Sequence, residues 1–332
     1  MTKIIITGGT GFVGKNLIPV LASHFNPKNI LCLVWNHESQ FELNGRNILK
    51  KAGVLQKKVD LATGFGLNNI NFIPDIVIHL AAQTDTSVNK HFVNNIGTKN
   101  LYNCLNLNKK THFIHISTMV LTVGRHNCST PIDESTPNYP TNEYTRTKLD
   151  GEIFIYEKAL EKGFKLTILR PNTIYGKNVR HNSLFDMVLN LIKSNSLITR
   201  INWPGKSALI HVDDVVKAIF YFANNPPKEN PPGKYLLYAE NLSINDISKL
   251  IMKKLGLKQK TIHVPKLFWQ ILKIVRVIIP FFEHLLPSYI YNYLWRFSVI
   301  IDNSVWAKSD KINKIIPNWK PKLLKNCLND IL

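Results

Sequence analysis

The first half of the chain alternates short apolar runs with longer stretches of helical periodicity. Residues 3–7 form a β-branched run ending on glycine, and residues 14–25 carry Leu17, Ile18, Leu21 and Ala22 at helical spacing. The same reading predicts strands at 30–35, 76–80, 113–117 and 166–170, a weaker one at 58–60, and a helix over 95–107. Parallel neighbours need long crossover connections, which intervening helices supply, so the expected class is α/β with a doubly wound parallel sheet.

Beyond Arg170-Pro171 the regularity weakens. Loops are expected around 176–182, a helix over 184–192, and Pro/Gly punctuation at 204–205 and 226–233. Helix and strand patterns return at 211–222 and 235–238. The expected division is therefore a main unit of residues 1–171, rejoined by 211–240, and a smaller C-terminal lobe from 172–210 and 241–332. Within that lobe, residues 267–301 are the oddest: Leu267, Phe268, Ile271, Leu272, Val275 and Ile279 share one helical face, Lys273 and Arg276 lie elsewhere on the circumference, and Pro280 and Pro287 break the run. The expected fate is packing on its own domain, as for most amphipathic helices. The competing reading is a basic amphipathic surface touching a membrane or a partner.

Of the 332 residues, 45% are hydrophobic and 19% charged, which excludes a disordered or collagen-like chain. Lys and Arg number 42 against 22 Asp and Glu, a net +20 that attracts nucleic acids, anionic lipid or phosphorylated small molecules. The lysines are spread out, and no helix-turn-helix, zinc or RNA-binding motif accompanies them, so nucleic acid is not an expected partner. Cysteines at 32, 104, 128 and 327 are too widely spaced for a zinc knuckle or redox pair, and no metal is expected. No leader-like segment and no run of about 18 apolar residues is visible, so the cytoplasm is the expected compartment.

The segment Thr7-Gly8-Gly9-Thr10-Gly11-Phe12-Val13-Gly14 follows a strand and opens a helix. In that setting Gly8 permits a tight turn, Gly11 clears the approach of a pyrophosphate, and Gly14 lets helix and strand pack closely. The helix N-terminus offers free N–H groups to the anion. This is the pattern of a Rossmann-type unit. The end of the second strand reads Leu33-Val34-Trp35-Asn36-His37, with no carboxylate before Glu38, so NAD is expected, with NADP left open through His37 or Arg46.

Tyr144 and Lys148 lie one turn apart on a predicted helix. A free tyrosine titrates near about pH 10, and a neighbouring ammonium lowers that value by stabilising the phenolate. Tyr144 is thus a candidate acid/base for an alcohol or ketone, poised by Lys148. Thr118, at the carboxyl end of the strand over 113–117, is placed to meet the substrate oxygen, although a hydroxyl residue there also commonly caps a turn.

Together these residues resemble the extended short-chain dehydrogenase/reductase family, in its branch of NAD-dependent nucleotide-sugar epimerases and dehydratases. The blocks that carry the likeness are residues 7–14, Asp60-Leu61, His79-Leu80-Ala81-Ala82, Asn94 to Thr98, His115 to Thr118, Tyr144 to Lys148, Leu169-Arg170-Pro171 to Gly176, and His211 to Asp214. The resemblance implies a dinucleotide held by Gly8, Gly11, Phe12, Val13, Gly14, Asp60, Leu61, Leu80, Ala81, Ala82, Asn94, Tyr144, Lys148 and Pro171. It also implies a sugar hydroxyl addressed by Thr118 and Tyr144, a substrate contact at Thr173, and a diphosphate met by cations such as Arg180 and Lys206. Residues 211–214 are expected to cap a helix. The implied partner is a small molecule, a nucleotide-activated sugar, with a homodimer left open. In the family's 4,6-dehydratases Asp and Glu follow the Thr; here Met119 and Val120 stand there, and neither exchanges a proton, which disfavours elimination. Two alternatives compete: an oxidoreductase of a hydrophobic, sterol-like or isoprenoid alcohol, and a non-catalytic dinucleotide-binding assembly protein.

Overall fold

A computed structural model describes all residues except 69, 87, 89, 125–129, 178, 180–182, 228–231 and 302–305. Strand β1 (Ile4–Thr7) leads through the glycine turn into α1 (Phe12–His24), then β2 (Ile30–Trp35), α2 (Gln40–Lys51), β3 (Leu55–Val59), β4 (Ile76–His79), α3 (Phe92–Cys104), β5 (His112–Ile116), α4 (Glu143–Lys162) and β6 (Lys165–Pro171). There follow β7 (Thr173–Tyr175), α5 (Leu184–Lys193), β8 (Lys206–His211), α6 (Val212–Asn224), β9 (Gly233–Leu237), β10 (Glu240–Ser243), α7 (Ile244–Lys254), α8 (Lys266–Ile278), α9 (Ser288–Ile301) and α10 (Lys311–Ile315).

The main sheet has seven parallel strands in the order β3-β2-β1-β4-β5-β6-β9, the doubly wound arrangement expected from the alternating pattern. Its period of two divides each strand between two cores. Ile4, Ile6 and Ile78 face α1 and α6, packing on Leu17, Leu21 and Ile219, whereas Ile5, Val77 and Phe113 face α3 and α4, packing on Leu101 and Ile155. The strand order reverses between β1 and β4, and the carboxyl ends there open a crevice. A smaller sheet, β10-β8-β7, lies in the C-terminal half and packs on α5 and α7 through Tyr175, Phe185, Leu209 and Ile247.

Two boundaries move. The strand expected at 58–60 is β3, shifted toward Leu55, because an edge strand with exposed Leu55 and Gln56 shows little apolar periodicity. The helix expected over 95–107 begins at Phe92 and stops at Cys104, where Leu105 turns extended.

Candidate active site

The glycine turn is built as its spacing requires. Gly8 has φ +69°, and a Cβ there would stand 2.6 Å from the Ala81 nitrogen, so only glycine lets β1 pass the end of β4 this closely. At Gly14 a Cβ would fall 2.4 Å from the Gly8 oxygen, which fixes how near α1 comes to the turn. Gly11 is the N-cap of α1 and gives it no side-chain cap, leaving the first-turn N–H groups facing the crevice. A pyrophosphate fits this cradle.

Around it, Leu80 donates its N–H to the Thr7 carbonyl (3.1 Å) and Ala81 to Thr7 Oγ1 (3.2 Å), holding the backbone of 80–82 against the turn. Asp60 and Leu61 follow β3. One Asp60 carboxylate oxygen accepts from the Ala62 and Thr63 N–H groups, and Leu61 is buried beside Gly97. Beyond β2, Arg46 donates to the carbonyls of Trp35 and His37 and pairs with Glu38, which Lys58 also holds at 2.8 Å. The guanidinium that could have met a 2′-phosphate is thus engaged within the protein. Asn94 is buried: its Oδ1 accepts from the Gln83 N–H, and its Nδ2 donates to the Gln83 carbonyl and to Thr147 Oγ1. It ties the loop after β4 to α4, and a Cβ on Gly151 would lie 2.2 Å from its carbonyl oxygen, so α3 and α4 touch at their backbones.

Helix α4 starts at a capping box between Asn142 and Thr145, which sets its first turn rigidly at the crevice. Tyr144 is half-buried on that turn, its ring 5.8 Å from the His91 ring. Lys148 is 2% exposed, and its Nζ donates to the Ile116 carbonyl at 2.6 Å, at the carboxyl end of β5. Burial lowers its pKa to about 8, opposed by the negative charge of Glu152 one turn further on. Thr118, two residues beyond β5, is buried, and its Oγ1 accepts from the Val120 N–H at 3.2 Å, capping the short helical turn of residues 119–122. Met119 in that turn is fully buried.

Beneath this face lies an ionic layer that the sequence reading passed over. Glu152 and Arg170 form a buried bidentate pair, with Lys234 at 3.4 Å. Burial pushes the Glu152 carboxyl up, but Arg170, with Ser117 and Lys234, brings the net shift down. The signal was present, since Glu152 follows Lys148 by four residues and shares its helix face. Two fully enclosed histidines complete the layer. His79 is hydrogen-bonded to Thr7 Oγ1 (2.7 Å) and Thr98 Oγ1 (3.0 Å), and burial together with the Lys148 charge lowers its pKa to about 3. His115, 5.4 Å away, is held well below its ordinary value by the same two causes. Both are packing residues.

The C-terminal contributions are more scattered. Pro171 ends β6 and is buried; Thr173 opens β7 and pairs with Leu209. Asn172 Nδ2 lies 4.0 Å from Met119 Sδ, on the side of the loop that follows Thr118. Lys206 is exposed at the start of β8, and Arg180 lies outside the described residues. His211 caps α6 as expected, accepting from the Asp213 N–H, while folding brings Cys327 and Asp330 beside it.

Residues 4–237 match the NAD dependent epimerase/dehydratase family. The chain belongs to that family. A dTDP-D-glucose 4,6-dehydratase of Dictyostelium discoideum is 31% identical over 65% of this chain, which spans only 54% of that relative's length. An N-acetyl-alpha-D-glucosaminyl-diphospho-ditrans,octacis-undecaprenol 4-epimerase of Escherichia coli O157:H7 is 25% identical, covering 79% of this chain and 75% of its own. The fold matches a UDP-glucuronic acid 4-epimerase variant of Bacillus cereus at TM-score 0.73 and 19% identity, covering 99% of this chain and 97% of that one. This epimerase/dehydratase family is one of enzymes.

Proposed function

We propose that this protein is an NAD-dependent epimerase or oxidoreductase acting on a sugar carried on a diphosphate, with a nucleotide-activated sugar as the first candidate. The observation that carries the reading is the planting of Lys148 Nζ on the Ile116 carbonyl, one helical turn from Tyr144 and two residues from Thr118. The dinucleotide would lie on Gly8, Gly11, Phe12, Val13 and Gly14, pass Leu80, Ala81, Ala82 and Pro171, and reach Asp60 and Leu61 at its adenine end. When bound, it supplies the hydride acceptor. Arg46, held by Glu38 and by the carbonyls of Trp35 and His37, is already engaged where a 2′-phosphate would need it, which supports NAD over NADP.

Tyr144 then takes the proton from the sugar hydroxyl, Lys148 holds the phenolate by its charge, and Thr118 orients the oxygen. Thr173, with Arg180 and Lys206, would reach toward the diphosphate-bearing part of the substrate, in the lobe formed by 172–210 and 241–332. Elimination lacks its acid and base here, because Met119 and Val120 offer no proton. That favours epimerisation or simple oxidoreduction over the dehydration named for the Dictyostelium relative.

The test is purified protein with UDP-, GDP- and dTDP-sugars, following sugar product and nicotinamide absorbance together. Epimerisation yields product without net cofactor consumption; oxidoreduction changes both in step. Tyr144→Phe is expected to cut turnover by about 10²–10⁴-fold while cofactor affinity stays within a few-fold. Full turnover in that variant overturns the assignment of the base. The apolar surface of the α8–α9 hairpin supports a second reading, oxidoreduction of a hydrophobic alcohol, which predicts silence with every sugar and nicotinamide turnover with an isoprenoid alcohol.

A further inference from the structure

The helical hairpin of α8 and α9 turns its grease outward. On α8, Leu267, Ile271, Ile274 and Val277 are 66%, 63%, 59% and 67% exposed, and Phe281 and Leu285 in the connection reach 70% and 75%. At 100° per residue the exposed apolar positions of α8 span about half the helix circumference, while Trp269 on the opposite arc, and Ile279 just past the helix, are buried against the protein. Contiguous exposed apolar surface of this kind marks an interaction site. One side of the segment packs on the rest of the chain through Trp269, Ile279 and Tyr291, while the side bearing Leu267, Ile271 and Ile274 is left exposed.

The surroundings say what the surface would meet. Residues 253–301 contain eight Lys and Arg against a single acid, Glu283, and that acid is spent in a bidentate pair with Arg146. Lys253, Lys254, Lys258, Lys260 and Lys266 are exposed at the approach to α8. A strongly basic segment that also carries an exposed apolar face fits a surface that is negative outside and hydrocarbon inside. No helix among the described residues is long and apolar enough to cross a membrane, so the segment would lie on the lipid and not span it.

The hairpin is fastened to the catalytic end of the molecule. Tyr291 Oη donates to the Thr141 carbonyl (2.5 Å), Trp295 Nε1 donates to Thr141 Oγ1 (2.7 Å), and Arg146, between Tyr144 and Lys148, holds Glu283. Val123, Gly124 and Thr141 line a crevice with Ile279, Pro280 and Trp295. We propose that the outward face of the α8–α9 hairpin is a docking surface for an anionic lipid bilayer, which holds the mouth of the active site at the membrane. The position of the active-site mouth rests on the function proposed above, whereas lipid binding by the hairpin does not.

The experiment is sedimentation of the full chain with phosphatidylcholine vesicles and with vesicles containing 30% phosphatidylglycerol. The chain is expected to bind the anionic vesicles, several-fold more weakly at high salt. The double variant Ile271→Asp/Ile274→Asp is expected to lose at least about tenfold in partitioning with an unchanged melting temperature. The same charge change at Ile73→Asp, an exposed apolar residue ahead of β4, should leave binding as it was. Leu285→Asp serves as a second probe if the double variant does not fold. Absence of vesicle binding by the wild type, or equal loss in Ile73→Asp, overturns the proposal. So does a wild-type dimer that Ile271→Asp/Ile274→Asp converts to monomer without altering lipid binding, because the face then belongs to a second copy.

Discussion

Lys148, Glu152 and Arg170 are 2%, 1% and 2% exposed beneath the crevice, whereas Ile271 on the hairpin is 63% exposed. One region hides charge and the other displays hydrocarbon, and each inverts the ordinary partition between core and solvent. In the first, the inversion is internally resolved: Arg170 satisfies Glu152, and Lys148 finds a carbonyl. In the second nothing in the described chain covers the face. The buried charges are partnered inside the chain, and the exposed hydrocarbon has no cover within the described chain.

The sharpest way to break the comparison is at the buried pair. Arg170→Met takes away the bidentate partner of the buried Glu152 and is expected to cost about 3–5 kcal/mol of stability, read from denaturant midpoints. An unchanged midpoint would show the pair to be dispensable. A matched truncation separates the two regions directly. Ile114→Ala, in the centre of β5 and fully buried, should cost about 2–5 kcal/mol, while Ile271→Ala should fall within about 0.5 kcal/mol of wild type. Equal costs would mean that the hairpin face is covered in solution.

The third test is a pH profile. Lys148 has a folded pKa of about 8 against an ordinary 10.5, so between those values the unfolded chain carries a proton that the native chain lacks. Stability therefore rises with pH across that window, by at most about 3 kcal/mol, and the burden is fully present below pH 8. In Lys148→Met this rise should vanish, as measured by melting temperature from pH 7 to 10. A rise of the same size in the variant would mean that the cation is not desolvated.

Much of this was legible before folding. The β-branched runs, the glycine spacing and the four-residue step from Tyr144 to Lys148 are local patterns, and local patterns fix strands, turns and helix faces through backbone sterics and periodicity. Asn94 shows where such reading stops. Its amide joins Gln83 to Thr147, residues 11 and 53 positions away from it, a partnership that no local pattern announces. Arg46 likewise stood as a phosphate candidate and is held by backbone carbonyls and Glu38.

By itself the sequence determined the parallel sheet, the tight glycine turn at its first crossover and the one-turn step from a phenol to an amine on a helix, because each depends on neighbours within a few residues. Only the tertiary structure decided which charges are buried together and which way the hairpin's apolar face points. Periodicity states that a helix has an apolar side; whether that side meets protein or solvent depends on what the rest of the chain leaves to pack against it.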